Sequence, residues 1–147
     1  MTTASTAHGF DDQLARLDAT ATAEAIRAGE LSAVEAVGSA IERARRLDPE
    51  LGAIVTPDFE RAAAAAAQPR TGAFGGVPTF VKDNVDVEGL PTREGSDAFH
   101  RVGAATHTSE IARQLADMGT ICLGKSALPE FGFTASTEFP DQRATRN

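Results

Sequence analysis

The chain has 147 residues, 41% hydrophobic and 24% charged, a balance that suits one globular domain and argues against a wholly disordered chain. Fourteen basic residues against 21 acidic ones leave a formal charge of −7, and neither Trp nor Tyr occurs. A nucleic-acid or anionic-membrane surface, which relies on clustered cations and stacking rings, is therefore disfavoured.

One cysteine cannot form an internal disulfide or a paired-cysteine metal site, which fits a reducing compartment. The opening MTTASTAHGFDD has neither a basic nor an apolar region of the secretory kind, and no apolar run is long enough to span a bilayer. A cytoplasmic setting is expected. Residues 1–17 read as a flexible leader and residues 18–147 as one domain.

In chain order, Asp18 caps an Ala-rich helix that Gly29 stops. Ser32 and Glu35 then form a capping box, each satisfying a backbone N–H that a helix start leaves without a partner. Val34, Val37, Ile41, Ala44 and Leu47 follow at helical spacing, and Asp48-Pro49 is expected to end this second helix, completing an N-terminal helical hairpin. Residues 51–58 read as a short strand. Pro57 is expected in the first turn of a third helix, whose alanine run gives it a small face for close packing on a sheet.

After a loop over 68–76, the apolar run 76–83 predicts a buried strand. Residues 109–118 predict a helix with Ile111, Leu115 and Met118 on one face, and residues 120–126 a further strand. Helix and strand alternate, so the fold class is α/β: a helical hairpin followed by part of a mixed or parallel sheet flanked by helices.

Several motifs invite a function. Gly119 to Ser126 matches the phosphate-loop pattern letter for letter, but a helix precedes it and Thr-Ile-Cys-Leu reads as strand. Pro129 also stands where the required helix would continue, so the match is read as chance. Cys122 between Ile121 and Leu123 is read as packing rather than as a nucleophile. His8, His100 and His107 occur singly, which supports neither a metal site nor a serine–histidine triad. No cofactor is expected.

The segment GGVPTFVKDNVDVEGLPTREGS (75–96) carries the most chemistry. Lys82 closes an apolar strand, where lost hydration would favour a neutral amine able to accept a proton. The alternative is a strand-end lysine neutralised by Asp83 or Asp86, with a structural role only.

That segment, followed by GTICLGKSALPEFGF and then ATRN, resembles the amidase signature family of serine hydrolases. The helical opening AIRAGELSAVEAVGSAIERARRLDPELGAIVT is similar to that family's as well, so the resemblance covers residues 18–147. It implies the N-terminal part of an amidase domain in which Lys82 is the catalytic base. Asp83 and Asn84 would orient it, and Phe131 and Gly132 would line the acyl pocket. Lys125 matches a motif lysine read as structural.

The family's two catalytic serines have no counterpart here, because Ser96, Ser126 and Ser136 occupy other motif positions. The resemblance implies a small-molecule amide as partner, no nucleic acid or membrane, and is compatible with a homodimer of the full-length protein. An amidotransferase amidase subunit and a non-catalytic helical interaction module are the competing readings.

Overall fold

The computed structural model of the chain describes residues 13–138 and 144–146; residues 1–12 of the expected leader lie outside the described residues. Gln13–Arg16 form a single 3-10 turn. Helix α1 (Ala19–Ala28) starts at Asp18, whose carboxylate accepts the Ala21 N–H at 2.7 Å, and stops at Gly29 in the left-handed region. Helix α2 (Ala33–Leu51) starts with the complete capping box: Ser32 Oγ accepts the Glu35 N–H at 3.1 Å, and Glu35 Oε2 accepts the Ser32 N–H at 2.9 Å.

Contrary to expectation, α2 does not end at Asp48-Pro49 but runs through the proline to Leu51. Proline removes one helical N–H, and so near the helix end only that one bond is forgone. Asp48 Oδ1 accepts the Ala53 and Ile54 N–H groups at 2.7 and 2.8 Å, and Gly52, at φ 60°, closes onto the Asp48 carbonyl.

Three strands follow, interleaved with two helices: β1 (Ile54–Pro57), α3 (Phe59–Ala66), β2 (Pro78–Lys82), α4 (Glu110–Asp117) and β3 (Ile121–Ser126). Pro57 ends β1 instead of opening α3, which starts after Asp58. The sheet order is β1-β3-β2, with β2 parallel and β1 antiparallel to β3, so the sheet is mixed. Only Val81 of β2 is buried, because β2 flanks the sheet with β3 as its one neighbour. That corrects the expectation of a buried strand over 76–83.

The main core forms where α2 and α3 meet β3, from Val37, Ile41, Ala62, Ala66, Ile121 and Leu123. The buried Ala62 and Ala66 are the small face read from the alanine run. Each of the larger side chains stabilises the fold by roughly 1.5–3 kcal/mol through removal from water.

The outer ends of two expected faces turn out to be exposed: Val34 and Leu47 in α2, Ile111 in α4 and Met118 just after it. In α4 it is Ala112 that packs inward, one position from Ile111. None of these helices is long and apolar enough to cross a membrane.

One irregularity in the sheet decides where its polar residues go. Pairing runs Thr79 with Cys122, then Val81 with Lys125, so β3 gains one residue against β2. The extra residue falls at Gly124, whose φ is 136° and where a Cβ would lie 2.2 Å from the Thr56 carbonyl oxygen. Regular alternation would put Lys125 on the same face as Ile121 and Leu123. The slip turns it to the face of Cys122 and Val81 instead.

Candidate active site

Lys82, the last residue of β2, is exposed, and Ser126 is its partner in the ladder. The lysine taken out of water is Lys125, with no exposed surface, and not Lys82 as the sequence led us to expect. Lys125 Nζ donates to Thr92 Oγ1 at 3.0 Å and to the Pro91 carbonyl at 3.2 Å. It also lies 3.1 Å from Asp83 Oδ1, and Asp83 is itself 1% exposed. Two hydrogen bonds and one ion-pair contact thus surround the Lys125 amine; Asp83 Oδ1 itself accepts no hydrogen bond among the described residues.

Asp83 is held through its backbone and through Oδ2. Its N–H donates to the Ser126 carbonyl and its carbonyl accepts the Glu94 N–H, both at 3.0 Å. Its Oδ2 accepts the Arg93 N–H at 3.3 Å. Asp86, the other carboxylate that could have neutralised Lys82, lies 3.3 Å from His107 Nε2. The Asp86 backbone is bound to Ser109 Oγ through both its N–H and its carbonyl. The Lys82 side chain has no ion-pair or hydrogen-bond partner among the described residues. Asn84 is exposed, and its side chain likewise bonds to no described residue.

A second loop is tied to this one. The Glu94 carbonyl, one peptide beyond the bond to Asp83, accepts the Phe131 N–H at 2.8 Å. Both residues are left-handed without being glycine, Glu94 at φ 54° and Phe131 at φ 51°. Gly95 packs so closely that a Cβ there would meet the Leu128 carbonyl oxygen at 2.4 Å. Ser96, buried, donates a short hydrogen bond to Glu130.

Two left-handed non-glycine residues joined by one hydrogen bond are costly, and they persist only where neighbouring contacts over-determine them. Here they present a ring to solvent. Phe131 is 45% exposed, edge-on to Phe99 with centroids 6.0 Å apart, and Phe133 follows at 6.1 Å. Gly132 beside it has open space where a side chain would sit.

The defining pattern of the amidase family matches residues 35–147, which include this lysine, this aspartate and the aromatic turn. The chain belongs to the amidase family. It is 45% identical over 143 residues to the "Putative amidase AmiC" of Mycobacterium tuberculosis, covering 95% of this chain and 30% of that one. To the indoleacetamide hydrolase of Bradyrhizobium diazoefficiens it is 37% identical over 134 residues, covering 86% and 25%. Among solved structures, 6-aminohexanoate cyclic dimer hydrolase superposes with a TM-score of 0.83 at 32% identity, covering 95% of this chain and 28% of that one. The chain thus spans about 30% of the length of the AmiC relatives it matches.

Within this amidase segment the remaining motifs take structural places. The phosphate-loop letters form the strand β3, and Lys125 lies inside the sheet instead of at a helix start. Cys122 Sγ reaches the Gly124 carbonyl at 3.5 Å, and burial pushes its thiol above the usual range, against a nucleophilic role. His8 lies outside the described residues.

Sequence reasoning missed Thr92 and the Ser96–Glu130 pair. The TREGS run gave a signal in its glycine, but not the identity of the loop that Gly95 would touch.

Proposed function

We propose that this amidase segment carries the proton-accepting lysine, Lys82, of an enzyme that hydrolyses carboxylic amides to acid and amine. In the relay the resemblance implies, a serine hydroxyl passes its proton through a bridging serine to the Lys82 amine as its oxygen attacks the amide carbonyl. The proton returns to the leaving nitrogen as the C–N bond breaks. Water then hydrolyses the acyl-serine ester by the same route. Both serines would come from the part of the fold outside these 147 residues.

The reading rests on one observation. The two carboxylates next to Lys82 in sequence are engaged elsewhere, Asp83 by Lys125 and Asp86 by His107, so neither holds Lys82 as a neutralised ammonium. The Lys82 amine is thereby left without a carboxylate partner among the described residues, as a proton-accepting role requires. Asp83 then orients Lys82 through the backbone it fixes, and exposed Asn84 is available to groups that meet the amine. Phe131, with Phe99 and Phe133 behind it, offers an apolar wall for the acyl part of a small-molecule amide, and Gly132 leaves space beside it. A cytoplasmic location and a homodimer of the complete enzyme belong to the same proposal.

In the complete enzyme, Lys82→Ala should lower kcat by ~10²–10⁴ and leave the thermal midpoint nearly unchanged, since general-base loss has that size and an exposed side chain adds little packing. Steady-state amide hydrolysis read beside a melting curve makes the test. Turnover within a few-fold of wild type would return Lys82 to a structural role.

A further inference from the structure

Only two lysines occur in the chain, Lys82 and Lys125; the other twelve basic residues are arginines. An arginine stays charged in any protein environment, whereas a lysine can lose its proton. Both lysines sit within one residue of the same aspartate, Lys82 through the chain and Lys125 through space. Their surroundings are opposite. Strand alternation puts Lys82 on the Phe80 face of the sheet, and the slip at Gly124 brings Lys125 to the Val81 face, where Asp83, the first residue beyond the strand, meets it.

Resting on the assignment of Lys82 as the base, we propose that Lys125 is a positioning residue that binds Asp83 on the Val81 side of the sheet so that its carboxylate cannot turn to Lys82. Several contacts support a built device in place of a chance ion pair. Lys125 has no exposed surface, it bonds to Thr92 Oγ1 and the Pro91 carbonyl as well as facing Asp83, and Asp83 is clamped through its N–H, its carbonyl and Oδ2. Burying two charges is costly, so a pair that only held strands together would be a poor substitute for apolar packing. Its chemical consequence lies next door. An unpaired carboxylate adjacent to an amine favours the ammonium and lowers the share of free amine.

The presence of only two lysines makes this readable on the chain itself. Trace acylation of the folded protein at mildly alkaline pH, followed by peptide mass spectrometry, gives the rate at each lysine. In the wild type we expect Lys82 to react at least about fiftyfold faster than Lys125, because acylating Lys125 requires opening of its buried site. In Lys125→Met the released Asp83 should slow Lys82 by about threefold or more, and in Asp83→Asn/Lys125→Met the rate should return to within about twofold of wild type.

A merely structural Lys125 would shift melting in these variants and leave the Lys82 rate alone. A folded Lys125→Met with an unchanged Lys82 rate, or a double variant that fails to recover, would overturn the proposal. Should Lys125→Met not fold, the wild type and the double variant still decide. Lys125 reacting as fast as Lys82, or a folded double variant with slow Lys82, would equally overturn it. None of these readouts is turnover, so they separate failure of the positioning role from failure of Lys82 as the catalytic base.

Discussion

At the scale of single residues, two lysines with the same neighbour divide the work by burial. Asp83 and Lys125 leave water together, and breaking such a pair from one side strands a charge in the interior. Lys125→Met should therefore destabilise the chain by about 3–5 kcal/mol, while Asp83→Asn/Lys125→Met, which removes both charges, should cost far less. Urea unfolding followed by circular dichroism provides the comparison, and near-additive losses would mean that the two residues do not act as a pair. The sequence pointed to Lys82 through its neighbours and family pattern. It could not show which lysine is buried, because that depends on a one-residue slip at Gly124 whose only local mark is a glycine in an apolar run. The strain at Glu94 and Phe131 was hidden for a related reason: a hydrogen bond between loops 37 positions apart imposes it, and neither residue prefers it.

Among the elements, what was local was legible. Asp18, Gly29, Ser32 and Glu35 act within one helical turn of themselves, and the caps read from their letters are the caps observed. Pro49 misled, because a proline so close to a helix end forgoes only one bond, while the Asp48 carboxylate fixes the two N–H groups beyond the helix. Ile111 misled too, since the inner face of α4 is set by what packs against Ala112.

The capping box makes a pH prediction. The Ser32 hydroxyl and N–H hold the Glu35 carboxyl below its usual range. Its contribution is therefore present above the ordinary glutamate value and is lost as pH falls through the lowered one. Stability of Glu35→Gln should depend less on pH than that of wild type over that acidic window, as thermal melts across a pH series would register.

The β3 bulge makes a second prediction at this scale. Gly124→Ala would force a Cβ against the Thr56 carbonyl at a φ that other residues rarely adopt, and should cost more than about 1 kcal/mol in a denaturation midpoint. A neutral substitution would show that the slip does not need its glycine.

On the scale of the whole molecule, the governing fact is that a segment about 30% of the AmiC length carries only part of a sheet. Among the described residues β1 and β2 are each paired in the sheet with β3 alone, so each presents an open ladder edge at its outer side. Apolar side chains stand open on several elements: Val34 on α2 at 55%, Ile111 on α4 at 61%, and Phe133 in the turn after β3 at 85%. Isolated exposed residues of this kind are ordinary on a monomer, but here Phe99, Phe131 and Phe133 form a contiguous aromatic group, which is a surface for association. Against this, the chain has a core of its own where α2 and α3 cover β3, so helical structure should persist.

The 147-residue chain should accordingly give a helical far-UV spectrum, bind a hydrophobic dye and show a mass that rises with concentration in analytical ultracentrifugation. Phe133→Ser with Phe131→Ser should weaken both dye binding and association without loss of helicity, since neither ring belongs to the α2–α3–β3 core. A monodisperse monomer that binds no dye and melts in one sharp step would mean that the exposed edges and rings are quiet in water. The aromatic turn would then have to be understood without any need for a covering partner.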